Sequence, residues 1–318
     1  MKINSLSICG LVTLDLHSLN NEGAEGNYMQ TREVQVVDEQ GQLQPVNAIS
    51  GDMYKHIQAE HLFYLAKQQG LPLCQACAKF DANRIVADNE FAASFGPEAS
   101  NTQILTGAIQ TCVMDDLEGI LITSTIGGKK RSIARKSTVE FGWIVGKPAD
   151  TRTESYFHVK FDAKERAKGS TDDTGANVGQ NIFHRPASSG RYAVVLNLDL
   201  FRVGRNDITM EYVLDDDARL KRCQALISSV LLTFVKPNGA MRNTQNPHIV
   251  GFDGVTAFSK TTLPAPTMSA LNSKYREEIA SISTTLNGLI EDSIETRTFN
   301  SLSDFVDIMA NYAKEIEF

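Results

Sequence analysis

The chain has 318 residues, 42% hydrophobic and 22% charged, with a net charge of -7. That composition describes a folded protein able to bury a sizeable core, and it excludes a chain that coats nucleic acid over its whole surface. A local basic groove on an acidic body stays open, because the distribution of charge matters more than its sum.

The opening Met1-Lys2-Ile3-Asn4-Ser5 leads into apolar residues interrupted by Ser, Gly, Thr and Asp, which is no signal-peptide core. No later uncharged apolar run approaches the ~18 residues of a membrane span, so a cytoplasmic location is expected. Leu6, Ile8, Val12, Leu14 and Leu16 alternate with Ser5, Ser7, Thr13, Asp15 and His17, predicting a long half-buried strand. A polar loop is expected over residues 20–44. Ser50, Gly51 and Asp52 then open a helix running to residue 69: Ser is a good N-cap, Asp suits the positive first turn, and Gly70-Leu71-Pro72 stops it.

Residues 70–110 read as an irregular insertion, 109–126 as strand-like runs (notably 119–123), and 139–145 as another strand. Between 147 and 189, Gly169, Gly175 and Gly179 among Ser, Thr, Asp and Asn mark an exposed, mobile protrusion. Tyr192, Val194, Leu196, Leu198 and Leu200 alternate as a strand, and residues 215–232 place Ala218, Cys223, Leu226, Ile227 and Val230 near helical spacing. Residues 273–292 and 303–317 read as two amphipathic helices, and there is no internal repeat. This order predicts an α+β, ferredoxin-like core with a long excursion between its later strands.

Three segments could carry chemistry. The densest positive run is Gly127-Gly128-Lys129-Lys130-Arg131-Ser132-Ile133-Ala134-Arg135-Lys136, which holds no acid. A solvated turn is the plain alternative, but exposed amides beside cations favour a phosphate-binding edge. At Ser50-Gly51-Asp52-Met53-Tyr54-Lys55-His56 a helix start offers amides, a hydroxyl and a lysine to an anion, while Asp52 would compete with a phosphate. An ordinary N-cap explains that segment equally well. The loop Gly239-Ala240-Met241-Arg242-Asn243-Thr244-Gln245-Asn246-Pro247-His248 packs amides and a guanidinium with little to bury, and could bind a ligand or satisfy its own backbone.

Five cysteines, an odd and scattered number, do not suggest a disulfide framework. Cys74 and Cys77, with His56 and His61 upstream, invite a zinc reading. The two histidines stand about 140° apart round a helix and cannot both face one metal. Buried or loop thiols are therefore preferred, with Cys9, Cys112 and Cys223 in core elements, and no metal or other cofactor is expected. Catalytic signatures are lacking: Ser188-Ser189-Gly190 is no nucleophile elbow, and neither HExxH nor GxxxxGK[ST] occurs. His158 and His184 lie in the excursion, where a general base would be poorly fixed. Asp15 and Asp199 could serve a metal nuclease but fall on strand polar faces.

Several segments together resemble one family. Asn47-Ala48-Ile49 leading into Ser50-Gly51-Asp52 resembles the signature after the first strand of DevR-type CRISPR backbone proteins, of the type I-B kind in the "Cas seven" superfamily. Arg135-Lys136-Ser137 before Val139-Glu140-Phe141-Gly142-Trp143 is similar to their central strand, and residues 183–194 to the return from their thumb. The loop 239–248 is the most specific of the four matches, and the resemblance spans residues 1–255 in order.

The resemblance implies an RNA-recognition-motif-like palm (residues 1–69, 111–149 and 189–260), a fingers insertion (70–110), a β-hairpin thumb (150–188) and C-terminal helices (261–318). It implies a non-catalytic Cascade backbone subunit whose copies stack along a crRNA and present it to a target DNA strand, beside other Cascade subunits and away from membranes. On that basis Ser50, Gly51, Lys55 and His56 would hold RNA. Lys129, Lys130, Arg131, Arg135, Lys136, Arg242, Asn243, Gln245 and Asn246 would line the groove. Phe157, Phe161, Ile182, Phe183, His184 and Arg185 would belong to the thumb. The family commonly has Asn where this chain has Asp52, which leaves Asp52 outside the contacts.

Two other functions find less in these residues. Type III relatives cut RNA with a loop aspartate, but the loop here offers Glu22 and Glu25 and no Asp between residues 18 and 37. A transcriptional regulator would need a basic recognition helix, and no helix-turn-helix pattern is visible.

Overall fold

A computed structural model describes residues 2–161, 180–239 and 241–318. The expected mobile centre of the protrusion, with Gly169, Gly175 and Gly179, lies outside the described residues, as does Ala240 of the loop segment.

The fold is mixed α and β, built on an antiparallel sheet. Its centre is β1 (Ser5–His17), flanked by β12 (Gln180–Leu198) and β13 (His248–Ser259). Outside β13 lies β14 (Ile294–Phe299). Outside β12 lie β10 (Val139–Phe141) and β11 (Ile144–Phe161), and beyond them β5 (Leu43–Ile49) and β4 (Glu33–Val37). A short hairpin, β2 (Asn21–Glu25) and β3 (Tyr28–Thr31), joins β12 through a single parallel bridge at His184 and Tyr28. The expected loop over 20–44 is thus mostly strand. Its polar residues mislead because these strands sit at a sheet margin, where both faces can stay wet.

The half-burial expected of β1 does not hold. Leu6, Ile8, Val12 and Leu14 enter the main core, while Cys9 and Leu11 are buried on the opposite face against Ala270, Tyr275 and Ile279. Ser7 donates from Oγ to the Pro266 carbonyl at 2.6 Å. A strand covered on both faces no longer alternates in burial. The pairing register shifts between Leu14 and His17, leaving Leu16 exposed at φ 53° and His17 buried.

On the main face pack α1 (Gly51–Gln69), α5 (Asp216–Val235) and α7 (Leu302–Glu315). The start and stop of α1 match the sequence reading: Ser50 Oγ accepts from the Met53 amide at 3.2 Å, and Gly70 adopts the left-handed conformation at φ 67°. For α5, Asp215 caps the Ala218 amide at 2.8 Å. The region 70–118 is not irregular throughout. It holds 3-10 turns at Cys77–Lys79 and Arg84–Ala87, then α2 (Asn89–Ala93), α3 (Asn101–Thr111) and α4 (Val113–Glu118). Strand was expected from 109, but α3 and α4 fill that stretch, and strand begins only at β6 (Ile120–Ile122). Next come β7 (Thr125–Ile126) with β8 (Lys129–Lys130), and β9 (Ile133–Arg135), which pairs with β6. In the tail, α6 (Tyr275–Asn287) and α7 form as read, and the unforeseen β14 runs between them.

Candidate nucleic-acid interface

The hairpin of β11 and β12 leaves the sheet as one long ribbon. Its pairs run from Thr151 opposite Gly190 to Phe161 opposite Gln180. From Glu154 outward, past the end of β1, it spans roughly 25 Å at ~3.3 Å per residue. Tyr156, Phe157 and Val159 are exposed there. The ring of Tyr28 stacks on His184 with centroids 4.2 Å apart and planes 4° from parallel, and Phe157 meets His184 edge-on at 5.6 Å. Phe183 lies beneath the Arg185 guanidinium at 5.2 Å. Phe161 and Ile182 are described in their backbone pairing alone.

The returning strand is tied to the 239–246 loop. Gln245 donates from Nε2 to the Pro186 carbonyl at 3.0 Å, and Arg185 donates from Nη1 to Thr244 Oγ1 at 3.3 Å. Gln245 is buried by this bond, whereas Asn243 and Asn246 are exposed. Arg242 donates to Asn238 Oδ1. A cavity of about 470 Å³ opens between this loop, Arg185 and Glu60 of α1.

Residues 18–20 connect that loop to the start of α1. Leu19 packs so closely on Gly239 that a Cβ there would meet Leu19 Cδ2 at 2.5 Å, and Asn20 Oδ1 accepts from the Ser50 amide at 3.0 Å. The helix start itself turns inward. Ser50 is occupied as a cap, and a Cβ on Gly51 would lie 2.7 Å from the Phe141 carbonyl, so close packing requires glycine there. Ser50 Oγ accepts the Met53 amide and the Ser50 amide is taken by Asn20, so what this helix start turns outward is limited by its burial.

One turn on, Lys55 and His56 line a pocket of about 250 Å³ with Asp52, Asp81 and Arg84. Lys55 is no ordinary surface lysine, since its Nζ donates to the Glu118 carbonyl at 3.2 Å and burial lowers its pKa. Glu118 is buried, and burial raises its pKa against the pull of Lys55, Arg84 and the Gln58 side-chain amide. Arg84 donates to the Gly119 carbonyl. Lys55 and Arg84 bring two cations to this pocket, and Asp52 and Asp81 line it with opposing charge.

The basic run is divided. Lys129 and Lys130 are exposed on β8. Arg131 instead braces the insertion, donating to Asn101 Oδ1 at 3.0 Å and the Ala99 carbonyl at 2.8 Å. Lys136 is exposed and pairs with Glu140 at 2.7 Å. Arg135 stands inside the core, fully shielded, with its guanidinium on Asp116 at 2.7 Å and Asp207 at 2.9 Å. Asp116 also holds Arg222 at 2.8 Å. Alternation along β9 explains this, because Ile133 and Arg135 point in while Ala134 points out.

The aromatic cluster of Tyr28, Phe157 and His184 escaped the sequence reading, although Phe157 and His184 were both named. Tyr28 comes from a distant hairpin, and only the parallel bridge brings it beside His184. Zinc through His56 or His61 finds no support. His61 Nε2 lies 2.9 Å from the Lys236 carbonyl, and His56 stands against Phe80 at 5.7 Å. Cys74 and Cys77 instead meet Cys112 and Asp115.

No helix among the described residues is long and apolar enough to cross a membrane. Comparison with curated proteins finds no match. A family profile described as "CRISPR-associated negative auto-regulator DevR/Csa2" matches residues 8–280, further than the resemblance read to residue 255. The fold is similar to a chain of a "CRISPR RNA-guided surveillance complex, pre-nicking", with a TM-score of 0.57 and 13% identity over 97% of this chain and 100% of that one. A chain of a second "CRISPR RNA-guided surveillance complex" gives 0.49 at 13% identity, over 97% and 99%.

Proposed function

The chain belongs to the DevR/Csa2 family of CRISPR-associated proteins, and from that premise we propose that it is a non-catalytic backbone subunit that binds single-stranded guide RNA. Its copies line up along a crRNA and display it to a target DNA strand, within an assembly that includes other Cascade subunits.

The observation that carries this reading is the long β11–β12 ribbon, anchored at its root to the 239–246 loop and bearing exposed aromatic rings. A ribbon of this reach can cross a strand of RNA to a neighbouring copy, while the 239–246 loop at its root meets phosphates. Stacked rings suit single strands because every base has a π-face.

The core topology supports the same reading. In the order β13-β1-β12-β10, with α1 between β1 and β10 and α5 between β12 and β13, the strands follow the β-α-β-β-α-β plan of an RNA-recognition-motif-like palm. The segment between α1 and β10 then corresponds to fingers and the ribbon to a thumb. Within this reading Lys55, His56, Lys129, Lys130, Arg185, Arg242, Asn243 and Asn246 meet RNA, while Ser50, Gly51, Arg135 and Gln245 shape the surface from beneath. Asp199 forms an ion pair with Arg202 at 3.7 Å.

Binding through phosphates makes affinity salt-dependent. With about four phosphates neutralised, log affinity for a generic single-stranded RNA falls against log salt with a slope of about -3, at ~0.7 per phosphate. A slope near zero, or binding that demands one sequence, contradicts the proposal.

A further inference from the structure

We infer that Cys74, Cys77, Cys112 and Asp115 form a structural zinc site that pins the insertion to the core. All four residues are buried, and their ligand atoms lie within 4.8 Å of one another. The two halves share one spacing, Cys-x-x-Cys at 74–77 and Cys-x-x-Asp at 112–115. Paired x2 units of this kind are how small domains grip zinc, with a carboxylate here in place of the fourth thiolate.

The two distances from Asp115 to the thiols match a tetrahedral ion. With Zn–S near 2.3 Å and Zn–O near 2.1 Å, a thiolate and a carboxylate oxygen on one ion should stand ~3.6 Å apart. Asp115 Oδ2 lies 3.6 Å from Cys74 Sγ and 3.8 Å from Cys77 Sγ.

The surroundings are arranged as a second layer of support. Asp115 Oδ1 accepts from the Ile85 amide at 3.3 Å, which leaves Oδ2 turned to the thiols. The Cys77 amide donates to Cys74 Sγ at 3.3 Å, a bond that stabilises thiolate. The Val113 amide donates to the Pro72 carbonyl at 2.9 Å and holds the two ligand-bearing segments side by side. Zinc binding displaces the ligands' protons to solvent and leaves thiolates and carboxylate as ligands. Three thiolates select zinc over magnesium or calcium.

The site's position gives it a task. Between the ligands the chain makes 3-10 turns and carries non-glycine residues at positive φ, Phe80 at 57° and Arg84 at 52°. Cys77, Asp81 and Arg84 all line the Lys55 pocket. A metal at Cys77 therefore fixes the wall that presents Arg84.

The test is the metal content of the full-length chain purified without chelator. About one zinc per chain is expected, and exchange for Co²⁺ should give the intense visible bands of a tetrahedral ion with a thiolate charge-transfer band. The double variant Cys74→Ser, Cys112→Ser should retain less than a tenth of the zinc. Asp115→Asn should lose zinc to a chelator at least ten times faster while keeping the native circular dichroism. Zinc-free protein with no cobalt spectrum overturns the inference, as does a disulfide within the cluster or undiminished zinc in the double variant. The cobalt spectrum of the unsubstituted chain decides the matter even if a variant fails to fold.

Discussion

Replacing Arg135 with alanine should unfold the protein more readily rather than strip it of an RNA contact. Arg135 makes five hydrogen bonds: to the carbonyls of Asp116 at 3.1 Å, Arg205 at 2.9 Å and Arg202 at 2.8 Å, and to the carboxylates of Asp116 at 2.7 Å and Asp207 at 2.9 Å. Its removal takes a donor from three carbonyls, of which that of Arg202 keeps the Arg205 amide at 3.1 Å. It leaves Asp116 with Arg222 and the Gly204 amide, and Asp207 with Arg202. Removing one partner of a buried pair costs about 3–5 kcal/mol when the remaining charge is left uncompensated, and because Arg222 still pairs with Asp116 the cost here should fall at the lower end, about 3 kcal/mol. Against a total stability of ~5–15 kcal/mol, that is a large share. Urea unfolding followed by circular dichroism measures it, with the slope m unchanged and the midpoint lowered. At a temperature where Arg135→Ala is still folded, RNA affinity should be within about twofold of the parent. A loss of stability below ~1 kcal/mol together with a large loss of RNA affinity would refute the core assignment.

The exposed cations should behave oppositely: Lys129→Ala with Lys130→Ala should change stability by no more than about 0.5 kcal/mol and reduce the salt slope by about 1.4, read by titrations at several salt concentrations. Removing the rings of Tyr28 and Phe157 should weaken single-stranded RNA binding by about 1–3 kcal/mol, measured by fluorescence anisotropy, with little effect on double-stranded RNA. Burial lowers the pKa of His17 to about 4, and its Nε2 has no hydrogen-bond partner among the described residues. The unfolded chain takes up this proton near pH 6.5 and the folded chain only near 4, so stability should fall as pH drops through that window, by up to about 3 kcal/mol. His17→Gln should flatten this acid limb in urea midpoints compared between pH 7 and pH 4.5.

Local chemistry made some of this legible in advance. A helix capped by Ser50 and closed by Gly70 is written in residues four or fewer apart and forms at the expected place, and the helix expected from residue 215 starts there, with Asp215 as its cap. The alternation of Tyr192, Val194, Leu196 and Leu198 likewise survives, because β12 feeds the main core at those positions. What local pattern cannot carry is a partner from far along the chain. Cys9 and Leu11 are buried by residues 268–279, so β1 loses its apparent wet face. β14 has few apolar residues and forms because β13 offers it an edge. At the site the same division holds. The basic run looked uniform in sequence, yet the pleat of β9 sends Arg135 into the core and leaves Lys136 outside. The thiol cluster was hidden because its fourth member is an aspartate and its halves are brought together by α3 and the turns around Cys77, not by proximity in sequence.

The central claim is that this chain holds guide RNA, and the most direct measurement is to purify it natively without nuclease and sequence whatever RNA comes with it. The account predicts short RNAs of uniform length carrying CRISPR-repeat sequence at their ends. Protein free of RNA, or bound to a random sample of cellular fragments, would contradict it.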